Sequence, residues 1–259
     1  MPKNKLRVGI IGIGLFALTQ HVPNLRNTGK AEVVAISRRN ATALTDAQKI
    51  LNIEETYTDW EKLLEKSQLD AVVVSTSHNV HVEPTLAALE RGLHVLVEKP
   101  MALTGEDAWK MVHAAERADR VLMVGYNSRC LGLWRAAKQA LENGSIGPVR
   151  QVDLAFADDF RWIWESQERP ARMQEKLRTS GVPSSFFGDE SLKGYWRRNP
   201  AEMGGGMFAD MGAHMVDLAL WLSGTPPVEV AAFDESAGLA VDCFLSLQAR
   251  LAEGIRGSF

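Results

Sequence analysis

The stretch Leu6-Arg7-Val8-Gly9-Ile10-Ile11-Gly12-Ile13-Gly14-Leu15-Phe16-Ala17 decides the fold of this chain. Leu6 to Ile11 reads as an apolar β-strand, and a helix is expected from about Leu15 to Thr28. Between them Gly12 to Ala17 spells G-x-G-x-x-A. Gly12 permits a tight turn, Gly14 lets the backbone approach a pyrophosphate, and the small Ala17 lets helix and strand pack closely. The helix start, at Leu15 and Phe16, offers N–H groups and the positive end of a helix dipole to phosphates. Glycines also make ordinary turns. The motif carries weight because it sits at a strand-to-helix junction inside a βαβ unit, where a dinucleotide-binding turn belongs.

The same stretch has a second reading. Lys3, Lys5 and Arg7 precede the apolar run Val8 to Leu18, as in a secretory signal peptide. Three glycines interrupt that run and no small-x-small cleavage site follows it, so a strand turning into a helix is the better reading. Export is therefore not expected. No other segment approaches the roughly 20 apolar residues that span a bilayer.

Moving outward, Ala31 to Ser37 and Ala71 to Ser75 read as further strands, nearly continuous in Val, Ile and Ala, and His94 to Val97 and Val121 to Gly125 complete the set. Uninterrupted apolar strands are expected where helices cover both faces of a parallel sheet. Thr104, followed by Glu106 and Asp107, reads as the N-cap of a helix through Arg117. This βαβα rhythm predicts a doubly wound α/β Rossmann domain over residues 1–125. The pattern then changes. A helix from about Leu131 to Glu142 leads into an extended run, Val149 to Ala157, and an irregular Trp- and Arg-rich stretch, Phe160 to Arg198. After Gly204-Gly205-Gly206 comes a helix from about Ala209 to Leu222, then strands with turns around Asp234-Glu235-Ser236 and Glu253-Gly254. Residues 126–259 are thus expected to form an α+β domain with a mostly antiparallel sheet.

The chain has 259 residues, 46% hydrophobic and 24% charged, with a formal net charge of −3. Such a balance offers no general attraction to nucleic acid or anionic membrane, so phosphate binding should be local. Cys130 and Cys243 match no disulfide framework or C-x-x-C motif. A reduced, cytoplasmic protein with two buried or inert thiols is expected.

An NAD site usually places an acidic residue at the end of the second strand to accept from the ribose hydroxyls. Here that place holds Ser37-Arg38-Arg39. A carboxylate would repel a 2′-phosphate, whereas serine donates to it and arginine pairs with it and stacks on adenine, so NADP(H) is preferred over NAD(H). The alternative is that both arginines are merely solvated. Glu98-Lys99-Pro100 follows a parallel strand, at the sheet edge where ligands bind, so Lys99 should point into the cofactor cleft. It could equally be an exposed turn lysine. Asp210 and His214, four apart on one helix face, suit a proton shuttle, with the acid orienting the imidazole. The competing reading is an acid stabilising the helix start beside a packed histidine, and Asp217 on the same face reads as structural. His78 and His81 have a spacing that could suggest a metal, but no third ligand lies nearby, so capping or cofactor contact is expected and no metal. His21, His94 and His113 read as structural. The alternation Phe160-Arg161-Trp162-Ile163-Trp164 reads as a pocket wall or domain packing rather than a nucleic-acid surface.

Together these motifs resemble the Gfo/Idh/MocA family, which includes glucose-fructose oxidoreductase and inositol dehydrogenase. The matching pieces are Gly12 to Ala17 with His21, Ser75-Thr76-Ser77-His78-Asn79 with His81, and Glu98-Lys99-Pro100. Gly125-Tyr126-Asn127-Ser128-Arg129, Trp196-Arg197, Gly204-Gly205-Gly206 and Asp210-Met211-Gly212-Ala213-His214 follow in the family's order. The resemblance implies hydride transfer between nicotinamide and the carbon of a sugar, polyol or related alcohol. It implies a catalytic trio: His214 exchanges the hydroxyl proton, Asp210 orients His214, and Lys99 polarises the reacting oxygen. Gly12, Gly14, Leu15, Phe16, Ser37, Arg38, Arg39, Ser75, Thr76, His78, His81, Glu98 and Lys99 become cofactor contacts; Asn127, Arg129, Trp196 and Arg197 become substrate contacts. Members usually continue past this chain's last residue, so the resemblance implies that the domain over residues 126–259 is incomplete at its C-terminus; a homo-oligomer through its sheet is implied if that sheet is complete. Relatives leave two alternatives: a nicotinamide-dependent glycosidase with transient oxidation, and a non-catalytic dinucleotide sensor.

Overall fold

The computed structural model describes residues 5–157, 162–165, 168–187 and 195–259. Lys3 of the signal-like start and Phe160-Arg161 of the aromatic–basic stretch lie outside them. The chain divides into two compact units, Met1–Gly125 with Ser166–Arg198, and Tyr126–Glu165 with Asn199–Phe259. The stretch Ser166–Arg198 therefore joins the first unit, where the sequence reading assigns it to the second. The reason is apolar burial: Phe186 is buried in a first-unit core cluster, with Val182 and Phe187 packed against it. The sequence reading takes this stretch as irregular, whereas the structure forms a nine-residue helix, Ala171–Thr179, and a 3₁₀ turn, Ser184–Phe186, within it. Neither is long or apolar enough to announce where Phe186 docks.

In the first unit, β1 (Leu6–Ile11), β2 (Ala31–Ser37), β3 (Glu55–Tyr57), β4 (Ala71–Val74), β5 (His94–Val97) and β6 (Leu122–Val124) form a sheet in the order β3-β2-β1-β4-β5-β6. Every pairing is parallel. The strands read as apolar runs because both faces are covered: Ile10 and Val73 enter one core cluster, Ile11, Val72 and Val74 the other. Ile10, Ile11, Ile36, Val74 and Val97 are wholly buried. The short edge strand β3 has no apolar run to announce it; its register on β2, Ala35 to Glu55 through Ser37 to Tyr57, places it. Because β1 leads to β2 on one side and pairs with β4 on the other, the chain reverses direction across the sheet at β1, and a crevice opens at the carboxyl ends there.

The helix after β1 contains a π turn, Ala17–His21, before α1 (Val22–Asn27). Then come α2 (Ala41–Leu51), α3 (Trp60–Lys66), α4 (Val82–Glu90) and α5 (Gly105–Ala118). Asn40 caps α2 by accepting from Ala43 N at 2.9 Å, and Thr104 caps α5 by accepting from Asp107 N at 3.1 Å, where the sequence placed that cap.

The second unit carries α6 (Gly132–Glu142) and a further helix, Ala213–Ser223. Its sheet comprises β7 (Gln151–Asp153), β8 (Pro227–Glu235), β9 (Phe244–Leu251) and β10 (Arg256–Ser258), in the order β7-β10-β9-β8. β10 runs parallel to β7, and the other pairs are antiparallel. Of the extended run Val149 to Ala157 only β7 is strand. Cys130 is exposed rather than buried, and Cys243 is half-buried. Among the described residues no helix is long and apolar enough to cross a membrane.

Candidate functional site

Gly12 has φ +86°, a left-handed conformation that favours glycine, and a Cβ there would stand 2.7 Å from the Ser75 carbonyl oxygen. The turn is held to β2 because Gly12 N and Ile13 N both donate to Ser37 O, at 3.0 and 2.9 Å. At Gly14 the space is open: a Cβ would meet nothing nearer than Gly12 O at 3.9 Å. A closed first glycine, an open second one and a helix start beyond them fit a dinucleotide pyrophosphate.

The end of β2 holds its polar residues differently from one another. Ser37 is buried, and its carbonyl serves the turn. Arg38 is half-buried, donates from Nη1 to Ile13 O at 2.9 Å, and lies 4.6 Å from the Phe186 ring centroid. Burial pushes its guanidinium below the ordinary arginine pKa. Arg39 is exposed.

The ends of β4 and β5 are tied together by His81, which is wholly buried. Its Nδ1 lies 2.8 Å from Pro100 O and its Nε2 lies 3.4 Å from Thr76 O. Burial lowers the His81 pKa, which favours the neutral ring with Nδ1–H donating to Pro100 O. His81 is thus a scaffold for the loops that carry Thr76 and Lys99. His78 is also buried, its ring edge-on to Trp196 at 4.6 Å. Arg197 covers the Trp196 ring at 4.3 Å and donates from Nη1 to Tyr195 Oη at 3.1 Å. His78, Trp196 and Arg197, read separately from the sequence as cofactor and substrate contacts, therefore form one cluster. Among the described residues no group of three or more His, Cys, Asp or Glu could hold a metal ion.

Glu98 accepts from His21 Nε2 at 2.8 Å and from Lys99 N at 3.2 Å. A Cβ on Gly125 would come within 2.9 Å of Glu98 Oε1, so the absent side chain at the end of β6 makes room for this carboxylate. His21, read from the sequence as structural, sits on the π turn and braces the Glu98-Lys99 corner. Isolated π turns recur at functional sites. No spacing rule joins positions 21 and 98; only the match of His21 to the family pattern hinted at it.

In the second unit Asp210, 8% exposed, lies in another π turn, Phe208–Gly212, and His214 follows in the first turn of the Ala213–Ser223 helix. The turn is capped by Asp242, whose carboxylate accepts from Gly206 N at 2.8 Å and Phe208 N at 2.7 Å. A Cβ on Gly206 would collide with the Asp242 backbone, at 2.1 Å from its carbonyl oxygen, which accounts for glycine there. Asp242 escaped the sequence reading because its partners lie in a different stretch of chain. Tyr126 stands edge-on to His214 at 6.0 Å, and burial, with the charge of Asp217, raises its phenol pKa. Arg129 grips Asp217 with both arms, Nε to Oδ2 at 2.8 Å and Nη2 to Oδ1. That carboxylate raises the Arg129 pKa further. Arg129 is thereby engaged within the protein, Asp217 is structural as read from the sequence, and Asn127 is exposed.

Residues 6–126 match a family model described as an oxidoreductase family with an NAD-binding Rossmann fold. Residues 181–259 match the model of the GFO/IDH/MocA C-terminal domain. The chain is 29% identical over 242 residues to a myo-inositol 2-dehydrogenase of Thermotoga maritima, covering 92% of this chain and 62% of that protein. It is 32% identical over 233 residues to a 1,5-anhydro-D-fructose reductase of Ensifer adhaerens, covering 90% and 61%. Among solved structures it resembles the WlbA dehydrogenase of Bordetella pertussis in complex with NADH and UDP-GlcNAcA. The TM-score is 0.77 at 26% identity, over 98% of this chain and 70% of that one. The chain spans about three fifths of the length of the curated relatives it matches.

Proposed function

This chain belongs to the Gfo/Idh/MocA oxidoreductase family, and on that footing we propose that it is an NADP(H)-dependent oxidoreductase acting on a sugar, polyol or related alcohol. Arg38 carries the cofactor assignment. It is a half-buried guanidinium bonded to the phosphate turn, at a strand end that has no acidic residue to meet a ribose hydroxyl. The names of the inositol and anhydrofructose relatives support the substrate class.

The Gly12–Ala17 turn and the helix start hold the pyrophosphate, and Arg38 pairs with the adenosine 2′-phosphate. Bound nicotinamide supplies the hydride acceptor or donor. Lys99, anchored by Glu98 and His21, donates to the reacting oxygen and polarises it. His214 takes the hydroxyl proton as the carbon–hydrogen bond breaks, and Asp210 orients the ring. Ser75, Thr76 and His78 line the cofactor side, and Trp196 and Arg197 meet the substrate.

Titrating NADPH and NADH against tryptophan fluorescence tests the cofactor. NADPH should bind at least about tenfold tighter, about 1.4 kcal/mol, and preference for NADH would overturn the assignment. Turnover is then sought with NADP⁺ and a panel of inositols and aldoses. A bound cofactor without reduction by any of them would overturn the dehydrogenase reading.

A further inference from the structure

Arg38 raises a question that its strand does not answer. An arginine side chain has several rotatable bonds, and a site that must recognise a phosphate gains from having them fixed beforehand. Arg38 is fixed at two places. Nη1 is bonded to Ile13 O at 2.9 Å, within the glycine turn, and the flat guanidinium lies over the Phe186 ring at 4.6 Å. No carboxylate pairs with it among the described residues, and Ile13 O is the one acceptor its side chain finds there. A half-buried cation with unspent N–H groups and no internal counter-charge suits an anionic ligand.

Phe186 is itself held firmly. It is 7% exposed and belongs to the core cluster that contains Ile10, Ile13 and Ile36. Its neighbour Ser185 donates to Asp46 on α2 at 2.6 Å, and Arg169 donates to Phe187 O. The aromatic platform is thus part of the first unit, although it comes from the Ser184–Phe186 turn, far along the chain from β2.

We propose that Phe186 is a positioning residue for cofactor choice, its ring holding the Arg38 guanidinium beside the phosphate turn so that the remaining N–H groups meet the 2′-phosphate of NADP(H). This inference rests on the NADP(H) reading above. It also accounts for why an arginine at this strand end is kept from swinging into solvent as Arg39 does.

The test is a set of paired NADPH and NADH titrations on the whole chain with wild type, Arg38→Ala, Phe186→Leu and Phe186→Tyr. Phe186→Leu keeps an apolar side chain but removes the ring face; Phe186→Met replaces it if the leucine variant does not fold. Wild type should prefer NADPH, and Arg38→Ala should abolish the preference. Phe186→Leu should weaken NADPH about fivefold, the order of a cation–π contact, while leaving NADH affinity unchanged. Phe186→Tyr, which keeps the ring, should retain the wild-type ratio. A merely structural role would weaken both cofactors together, and that outcome overturns the proposal. So does an unchanged NADPH to NADH ratio in Phe186→Leu. If wild type shows no preference, the NADP(H) reading fails and the inference fails with it, a result distinct from failure at Phe186 alone.

Discussion

Gly12 and Lys99 mark two kinds of dependence on a single residue. At Gly12 the constraint is steric: a methyl group would sit 2.7 Å from a backbone oxygen, at a φ of +86°. Gly12→Ala should therefore cost about 1–3 kcal/mol of stability, read from the urea midpoint, and should weaken NADPH binding with it. At Lys99 the proposed constraint is chemical. Lys99→Met should lower kcat by about 10²–10⁴-fold while NADPH affinity changes little, and His214→Asn should do the same. Equal losses in cofactor affinity would show that these residues bind rather than catalyse. His81 offers a pH signature. Its folded pKa lies below the unfolded value, so the unfolded state binds more protons in the window just below pH about 6.5. Its contribution to stability is complete above that pH and is lost as the pH falls below it. The slope on the acid side should therefore shrink by up to about 1.4 kcal/mol per pH unit in His81→Asn, measured by denaturation between pH 5 and pH 7.5.

At the scale of elements, the site depends on side chains that tie one segment to another. His21 and Glu98 connect the first helix to the end of β5, with side chains 15% and 13% exposed. Removing the histidine leaves the carboxylate without that donor, so His21→Ala should destabilise by about 1–3 kcal/mol and impair turnover through the adjacent Lys99. Thermal or urea denaturation checks the first effect, and kcat checks the second. Arg129 and Asp217 do the same in the second unit, joining the segment after β6 to the Ala213–Ser223 helix. Both helices that carry candidate site residues contain a π turn near their start, Ala17–His21 and Phe208–Gly212. Helical periodicity predicted the helices around Leu15 and Ala209 but not these wider turns. Each turn goes with a contact to a distant segment: Asp242 captures Gly206 N and Phe208 N in one case, and His21 meets Glu98 in the other.

For the whole molecule, the second-unit sheet makes the clearest demand. All nine residues of β8 are exposed, Phe233 at 77% and Val230 at 60%, and β8 is an edge strand. Exposed apolar edges of this kind seek partners. Association through this strand is expected, with sedimentation showing a concentration-dependent dimer or larger species that Phe233→Lys with Val230→Lys returns to monomer. Association unchanged in the double variant would place the contact elsewhere.

The Rossmann sheet was legible in the residues because its strands are buried on both faces and so are written as plain apolar runs, with a glycine turn whose steric logic is local. The Thr104 cap and the helices read from about Leu15 and Ala209 were legible for the same reason, since each follows from neighbours a few positions apart. Neither β3 nor Asp242 could be read that way, and the Phe186 platform and the His21–Glu98 brace are of the same kind. Each joins segments far apart in the chain, and no local pattern encodes which distant side chain will fill a given gap. Packing made that choice: the Ser184–Phe186 turn placed Phe186 in the first unit's core, where its ring lies against the Arg38 guanidinium.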